Sequence, residues 1–252
     1  MLRNDPDATG FVIAAGILGS LIASALMLIA TEIVLGPRRD DNLEAAERLD
    51  EGLVALRDTA ALVAGAADHG IRAIKPKSDY TRAEWISVLD DAEEGLTLVG
   101  HALDKWCQED IREHFDRAIE RLANAGKPVQ LVTLPPYGPN TDRIGDQRRK
   151  DYGSRVRDTL DVVDGIYARL SKESRESLSV RTLRGAVDMP YMLVANEKVV
   201  ITCAYPTVSQ SSDLMLTSKV RPDSPIGHFM REDVRQLVAS RTEQVTFPLT
   251  SR

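Results

Sequence analysis

Cysteine and aromatic residues are scarce in this chain, and each shortage excludes a class of protein. The 252 residues include two cysteines and 5% aromatic residues. Cys107 and Cys203 are too few for a disulfide framework and too far apart for a closely spaced zinc pattern. The sequence also has no glycine-rich phosphate loop, no HExxH helix and no nucleophile elbow. We therefore expect no metal and no other cofactor.

The overall composition limits the architecture and the partners. Hydrophobic residues make up 43% and charged residues 28% of the chain, which excludes a disordered chain, a collagen-like repeat and a multi-span membrane protein. The formal net charge is −6. A surplus of acidic residues argues against general nucleic-acid binding and leaves room only for a local basic patch.

One long uncharged segment stands near the N-terminus. From Phe11 to Thr31 the chain has 21 residues without a charge, about 31 Å of helix against a hydrocarbon core of about 30 Å. This predicts a short tail over residues 1–10 and a single transmembrane helix over residues 11–36. A cleavable signal peptide is the alternative, because Ala23-Ser24-Ala25 resembles a cleavage site.

Basic residues around this segment predict its orientation. Arg3 stands alone before the helix, whereas Arg38, Arg39 and Arg48 follow it. Positive residues favour the cytoplasmic side, and unpaired cysteines suit a reducing compartment. The sequence predicts a single-pass protein of the cell membrane (inner or plasma membrane), embedded in the lipid bilayer with its C-terminal domain in the cytoplasm.

The segment after the membrane helix, residues 37–69, has the pattern of a helical stalk. Small or apolar residues alternate at spacings of three and four, which is a heptad seam typical of a coiled coil: Ala46, Leu49, Leu53, Leu56, Ala60, Val63 and Ala67. The membrane helix carries a stripe of small residues that would let two helices approach closely. We predict a homodimer, with contacts at Gly16, Ser20, Ser24, Leu49, Leu53, Leu56 and Val63. The alternative is an amphipathic helix folded back on the domain.

Residues 70–252 alternate helical and buried-strand patterns. The order predicts one α/β sandwich domain with a mixed sheet, parallel in its first part. The predicted helices cover 81–94, 108–125, 154–171 and 226–240. The predicted strands cover 96–103, 129–134 and 178–183, a hairpin of 191–195 with 198–204, and an edge strand at 214–218.

These elements together resemble one half of the phospholipase D-like superfamily, most closely a bacterial membrane-anchored branch of unknown function. The resemblance is carried by five segments in order: Gly70-Ile71-Arg72-Ala73-Ile74, the Trp-led helix from Trp85 to Ala92, the strand from Leu96 to Gly100, the turn from Asn124 to Val129, and the strand from Tyr191 to Lys198.

The resemblance implies a phosphodiester site shared by two half-domains, and hence a homodimer. Active members carry His-x-Lys-x4-Asp, in which the histidine is the nucleophile and the lysine neutralises phosphate oxygens. None of the four histidines here has a lysine two positions later, and the strand from Tyr191 to Lys198 has no histidine. The resemblance therefore implies a catalytically degenerate domain.

Two groups of residues are candidates for chemistry. His101 and Lys105 follow a buried strand, at the edge where α/β sheets open crevices. His228 is a third candidate, provided that the fold brings it close to them. The alternative for His101 is a purely structural, hydrogen-bonded histidine. Arg143, Arg148, Arg149 and Lys150 occupy the predicted loop 135–153 and would receive a phosphate-bearing ligand. A mobile, solvated loop is the alternative there.

These observations favour a membrane-anchored dimer that presents a degenerate phospholipase D-like domain as a ligand-binding, signalling or interaction module. The alternatives are a divergent phosphodiesterase or nuclease that uses His101, Lys105 and His228, and a membrane-anchored defence effector that responds to a nucleotide.

Overall fold

The computed structural model divides the chain into two compact units, Met1–Val63 and Ala64–Arg252. The predicted membrane helix at 11–36 lies outside the described residues, as does most of the stalk. No helix within the described part of the chain is long and apolar enough to cross a bilayer. The structure describes residues 53–54, 57, 61, 64–184, 189, 191–205 and 215–249.

An eight-stranded sheet forms the frame of the second unit, in the order β1-β7-β6-β5-β2-β3-β4-β8. β2 pairs with β3 and β3 with β4 in parallel, and every other pairing is antiparallel. This confirms the predicted α/β fold with a mixed sheet. The strands are β1 Ile71–Pro76, β2 Leu96–Val99, β3 Val129–Thr133, β4 Leu178–Leu183, β5 Tyr191–Ala195, β6 Val200–Ala204, β7 Leu216–Val220 and β8 Thr242–Gln244.

Six α-helices accompany the sheet within the described residues: α1 Arg82–Asp90, α2 Glu109–Asn124, α3 Pro139–Arg148, α4 Tyr152–Arg169, α5 Lys172–Arg175 and α6 Pro225–Arg241. Their starts follow local chemistry. The Thr81 hydroxyl accepts from the Glu84 amide at the start of α1, and the Glu84 carboxylate accepts from the Thr81 amide, which is a capping box. The Asp151 carboxylate accepts from the Ser154 amide at 2.8 Å and begins α4.

The two faces of the central strands differ. One face carries Leu98, Leu131 and Val180, each no more than 1% exposed, in the same apolar cluster as Phe115 of α2 and Val163 of α4. The alternate face carries more polar residues and packs beneath α6. Burial of the first face supplies the main driving force for the fold, since apolar area removed from water is worth about 25 cal/mol per Å².

Two predictions about elements are wrong, and the strand β1 was not predicted. The segment 135–153, predicted to be a loop, contains the helix α3. The predicted edge strand at 214–218 is Leu216–Val220, and it lies between β1 and β6 rather than at an edge. The edge strand on that side is β1. Its charged residues and its terminal proline hide the alternating pattern of a strand in the sequence. Edge strands tolerate charged residues and proline.

Candidate functional site

A pocket of about 320 Å³ opens at one edge of the sheet, beyond the carboxyl end of β2. β6 and β1 also end at this edge and β5 begins there, so several chain segments converge on one place. Crevices at this edge are the usual ligand sites of α/β sheets. The lining residues include Lys77, His101, Asp104, Lys105, Gln108, Arg148, Lys150, Tyr152, Arg155 and Tyr205.

His101 forms the floor of this pocket and is 5% exposed. Its Nε2 lies 3.1 Å from the Met189 carbonyl oxygen, which can only accept a hydrogen bond, so Nε2 carries the hydrogen. Its ring stacks on Tyr205 at 3.8 Å between centroids, and its backbone amide donates to the Tyr205 hydroxyl at 3.2 Å. These contacts fix the imidazole in one orientation.

A tight turn after β2 places the next polar residues. Leu103 adopts a left-handed backbone conformation with φ 60° and is buried, and a short 3-10 helix, Asp104–Cys107, follows it. A bulky residue in this conformation costs roughly 1–2 kcal/mol, which the burial of its side chain helps to offset. The turn directs Lys105 back over Trp85, with Nζ 3.6 Å from the ring centroid.

The pKa of the Lys105 ammonium is shifted far from its ordinary value. Burial first, and then the positive charge of Lys77, lower the pKa of its ammonium to about 7, against a smaller opposing effect of Asp110 and Cys203. Burial disfavours a charged ammonium, and a neighbouring cation disfavours it further. An anion entering the pocket would raise this pKa, because an opposite charge nearby favours the charged ammonium.

Three further cations reach the pocket from the segment after β3. Arg148 ends α3 and is 8% exposed, Lys150 follows it, and Arg155 lies in the first turns of α4. Nη1 of Arg155 is 2.5 Å from Oδ2 of Asp104, the one carboxylate among the described lining residues. The lining therefore contains five cationic side chains and one carboxylate, Asp104, which is already paired with Arg155. The five are Lys77, Lys105, Arg148, Lys150 and Arg155.

The structure brings together two groups of residues that the sequence treated as separate candidates. His101 and Lys105 line the same pocket as Arg148 and Lys150. The remaining candidates lie elsewhere. Arg149 borders a second, adjoining pocket. Arg143 is exposed on α3, with its Nη1 3.5 Å from Oε1 of Gln147. His228 is exposed near the start of α6 and does not line the pocket beside His101.

Of the predicted dimer contacts, Leu53 is described and is 49% exposed. Gly16, Ser20, Ser24, Leu49, Leu56 and Val63 lie outside the residues for which the structure gives a description.

The lining residues that were not candidates from the sequence include Lys77, Tyr152, Arg155 and Tyr205. Each stands just after a strand or at the start of a helix, which is the position from which side chains reach a sheet-edge crevice. That position was a usable signal for Tyr205, which follows the correctly predicted strand that ends at Ala204, whereas β1, which precedes Lys77, was not predicted. The described residues contain no group of three or more His, Cys, Asp or Glu side chains that could hold a metal ion.

Comparisons with known proteins give fold similarity alone. No protein-family model matches this chain, and no curated protein sequence matches it. Solved structures do match. One is phosphatidylserine synthase of Haemophilus influenzae, a phospholipase D superfamily member, at 11% identity and TM-score 0.44; the match covers 68% of this chain but 39% of that one.

A second similar structure is TrmBL2, described as an archaeal chromatin protein with a novel mode of DNA binding. It shares 10% identity at TM-score 0.41, over 82% of this chain and 67% of that one. The sequence-based expectation of no general nucleic-acid binding is contradicted by this neighbour, and we withdraw it. The expectation rested on the net charge of the whole chain, which does not report the local charge of one face. A likeness of fold at this level assigns no nucleic-acid binding to this chain.

Proposed function

We propose that the domain is a binding module that receives a phosphate-bearing ligand in the pocket beside His101. The observation that carries the proposal is the convergence of five cationic side chains from separate segments on a space of about 320 Å³. These positive charges outnumber the single lining carboxylate, Asp104, and an anion in the pocket would relieve their mutual repulsion. Charge-assisted hydrogen bonds from arginine and lysine to phosphate oxygens are among the strongest polar contacts in proteins.

Binding without turnover is favoured over catalysis. The Nε2–H of His101 is held by the Met189 carbonyl, and its Nδ1, which carries the lone pair, is a buried atom, so neither nitrogen faces a ligand as a base or nucleophile. The chain has no His-x-Lys-x4-Asp motif. The pocket supplies charge to hold a phosphate and lacks an evident nucleophile to attack one.

A phosphodiesterase is the second candidate, and one observation favours it. Lys105 has a pKa of about 7, which is where a general acid works best at neutral pH, and it shares its pocket with His101. Turnover of a chromogenic phosphodiester that disappears in both His101→Ala and Lys105→Met would establish this activity in place of simple binding.

The cellular setting of the module is proposed from the sequence. We infer a membrane anchor at 11–36, a dimeric stalk at 37–69 and a cytoplasmic, catalytically degenerate phospholipase D-like half-domain. The uncharged segment, the heptad seam and the order of elements support these inferences. In this setting a ligand-induced change in the domain would be transmitted along the stalk as a signal or an interaction.

The binding proposal is tested by thermal unfolding of the full chain in detergent with phosphate, pyrophosphate, glycerol phosphate, mononucleotides and a short oligonucleotide. A ligand at a hundred times its dissociation constant adds about 2.7 kcal/mol, which is readily measured as a rise in Tm. We expect a rise with at least one phosphate compound, no rise with the matching unphosphorylated alcohol, and a smaller rise in Lys105→Met. No rise with any phosphate compound contradicts the proposal.

A further inference from the structure

A second cavity adjoins the charged pocket. That cavity, of about 630 Å³, is bordered by α3, the start of α4 and the chain between them. Lys150 and Tyr152 line both spaces. The two spaces are therefore neighbours on one surface, and we refer to them together as the groove, with the cationic pocket at one end and the second cavity at the other.

The strip between the two ends is held firmly in place. The Lys150 amide donates to the Gly145 carbonyl at 3.0 Å. A side chain at Gly153 would place its Cβ 2.7 Å from the Pro136 carbonyl oxygen, so glycine permits a close approach there. The carboxylate of Asp151 caps α4. These contacts hold the backbone around Lys150 and the start of α4, which borders both spaces.

An exposed aromatic ring stands at the far end. Tyr137 is 65% exposed, and the guanidinium carbon of Arg157 lies 5.0 Å from its ring centroid. Arg157 braces the ring by a cation–π contact. An exposed, braced tyrosine at the end of a cationic groove is suited to stacking against a planar heterocycle.

The charge of the far end differs from that of the pocket. Asp142 and Asp146 lie four residues apart on α3 and line the second cavity with Asp151, Arg149 and Arg157. Carboxylates repel phosphate but accept hydrogen bonds from hydroxyl and amino groups. The groove is therefore polarised: it attracts an anion at one end and a neutral, hydrogen-bond-donating group at the other.

We propose that the ligand is a nucleotide, with its phosphate among the cations of the pocket and its base stacked on Tyr137. Asp142 and Asp146 accept hydrogen bonds from the ribose hydroxyls or from an amino group of the base. This inference rests on the phosphate-binding function proposed above and extends it from the anion to the nucleoside.

The test compares the full chain with Tyr137→Ala and Tyr137→Phe by calorimetric titration. The probes are adenosine, guanosine and uridine monophosphates, ribose phosphate and pyrophosphate. Phe229→Ala is the matched control, because Phe229 is a similarly exposed aromatic residue, 66% exposed on α6 and outside the groove. Loss of a base–aromatic stack typically costs enough to weaken binding at least about fivefold.

We expect a mononucleotide to bind more tightly than ribose phosphate. Tyr137→Ala should weaken that binding at least about fivefold and leave pyrophosphate binding unchanged, whereas Tyr137→Phe and Phe229→Ala should bind like the unmodified chain. Equal affinity for mononucleotide and ribose phosphate, or no effect of Tyr137→Ala, overturns the nucleotide inference while pyrophosphate binding still supports the pocket. Binding of none of the five probes overturns both proposals.

Discussion

The affinity of the pocket for an anion should fall as the pH rises from 6 to 8, because Lys105 loses its charge over this range. Its pKa of about 7 means that the charged fraction falls from about 0.9 at pH 6 to about 0.1 at pH 8. If an anion requires the charged form, its apparent affinity falls in proportion to that fraction, about tenfold over this interval.

Sulfate is the right probe, because phosphate changes its own charge over the same pH range. Titration calorimetry of sulfate into the full chain at pH 6, 7 and 8 gives the affinity directly. Other titratable groups act on the same site: Lys77, Asp110 and Cys203 influence the pKa of Lys105, and His101 lines the pocket. A comparison with variants at position 105 separates their effects from that of the lysine.

Two variants make the test specific. Lys105→Arg keeps a permanent positive charge, so its sulfate affinity should change little between pH 6 and pH 8. Lys105→Met removes the charge, so its affinity should be lower and should change less between pH 6 and pH 8. A wild-type affinity that is the same at pH 6 and pH 8, or an equal slope in Lys105→Met, would refute the reasoning.

Four further expectations concern stability. The free energy of unfolding should rise with pH between about 7 and 8, by at most about 1.4 kcal/mol per pH unit. The reason is that Lys105 keeps its proton in the unfolded chain over this range but releases it in the folded chain, where its pKa is about 7. Denaturant titrations should show this rise in the unmodified chain and its loss in Lys105→Met. Asn196→Ala should cost about 2–4 kcal/mol, since its Nδ2 donates to the Val88 carbonyl and its Oδ1 accepts from two amides at 2.8 Å; a urea midpoint equal to that of the unmodified chain would contradict this. Phe115→Ala, at a fully buried position, should cost about 3–5 kcal/mol by the same assay. Gly227→Ala should lower Tm, because its Cβ would lie 2.2 Å from the Arg221 carbonyl oxygen; an unchanged Tm would show that the start of α6 relaxes freely.

The elements with strong periodicity were predictable from the sequence. The helix α2 buries Ile111, Phe115, Ile119 and Leu122 along one face, which is the spacing read from the sequence. β3 (VQLVT) and β4 (LSVRTL) place Leu131 and Val180 on the buried face and Gln130 and Arg181 on the other, which is the alternation expected of a strand. In these segments the local pattern and the tertiary contacts demand the same structure.

The helix α3 was missed because its sequence signals a loop. The segment Pro135–Pro136 and the glycines around it are turn-forming residues, and the helix buries the polar residues Asn140, Thr141 and Arg148 beside one apolar residue, Ile144. Its position is set by contacts with α4 rather than by an apolar stripe. Sequence periodicity cannot reveal such a helix.

The pocket could be predicted only in part from the sequence. Each cation was visible in the sequence, but their meeting depends on the strand order, which places the end of β1 beside the ends of β6 and β2. Lys77 and Lys105 come together through pairings between segments distant in the chain, and no spacing rule encodes them.

The central claim, that the pocket beside His101 receives an anion, is tested most directly by locating an electron-dense phosphate analogue in crystals of the full chain. Tungstate can be placed unambiguously by its anomalous scattering. We expect its principal site among Lys77, Lys105 and Arg148, and we expect Lys105→Met to reduce the occupancy. Tungstate bound elsewhere, with no peak in this pocket, would contradict the account.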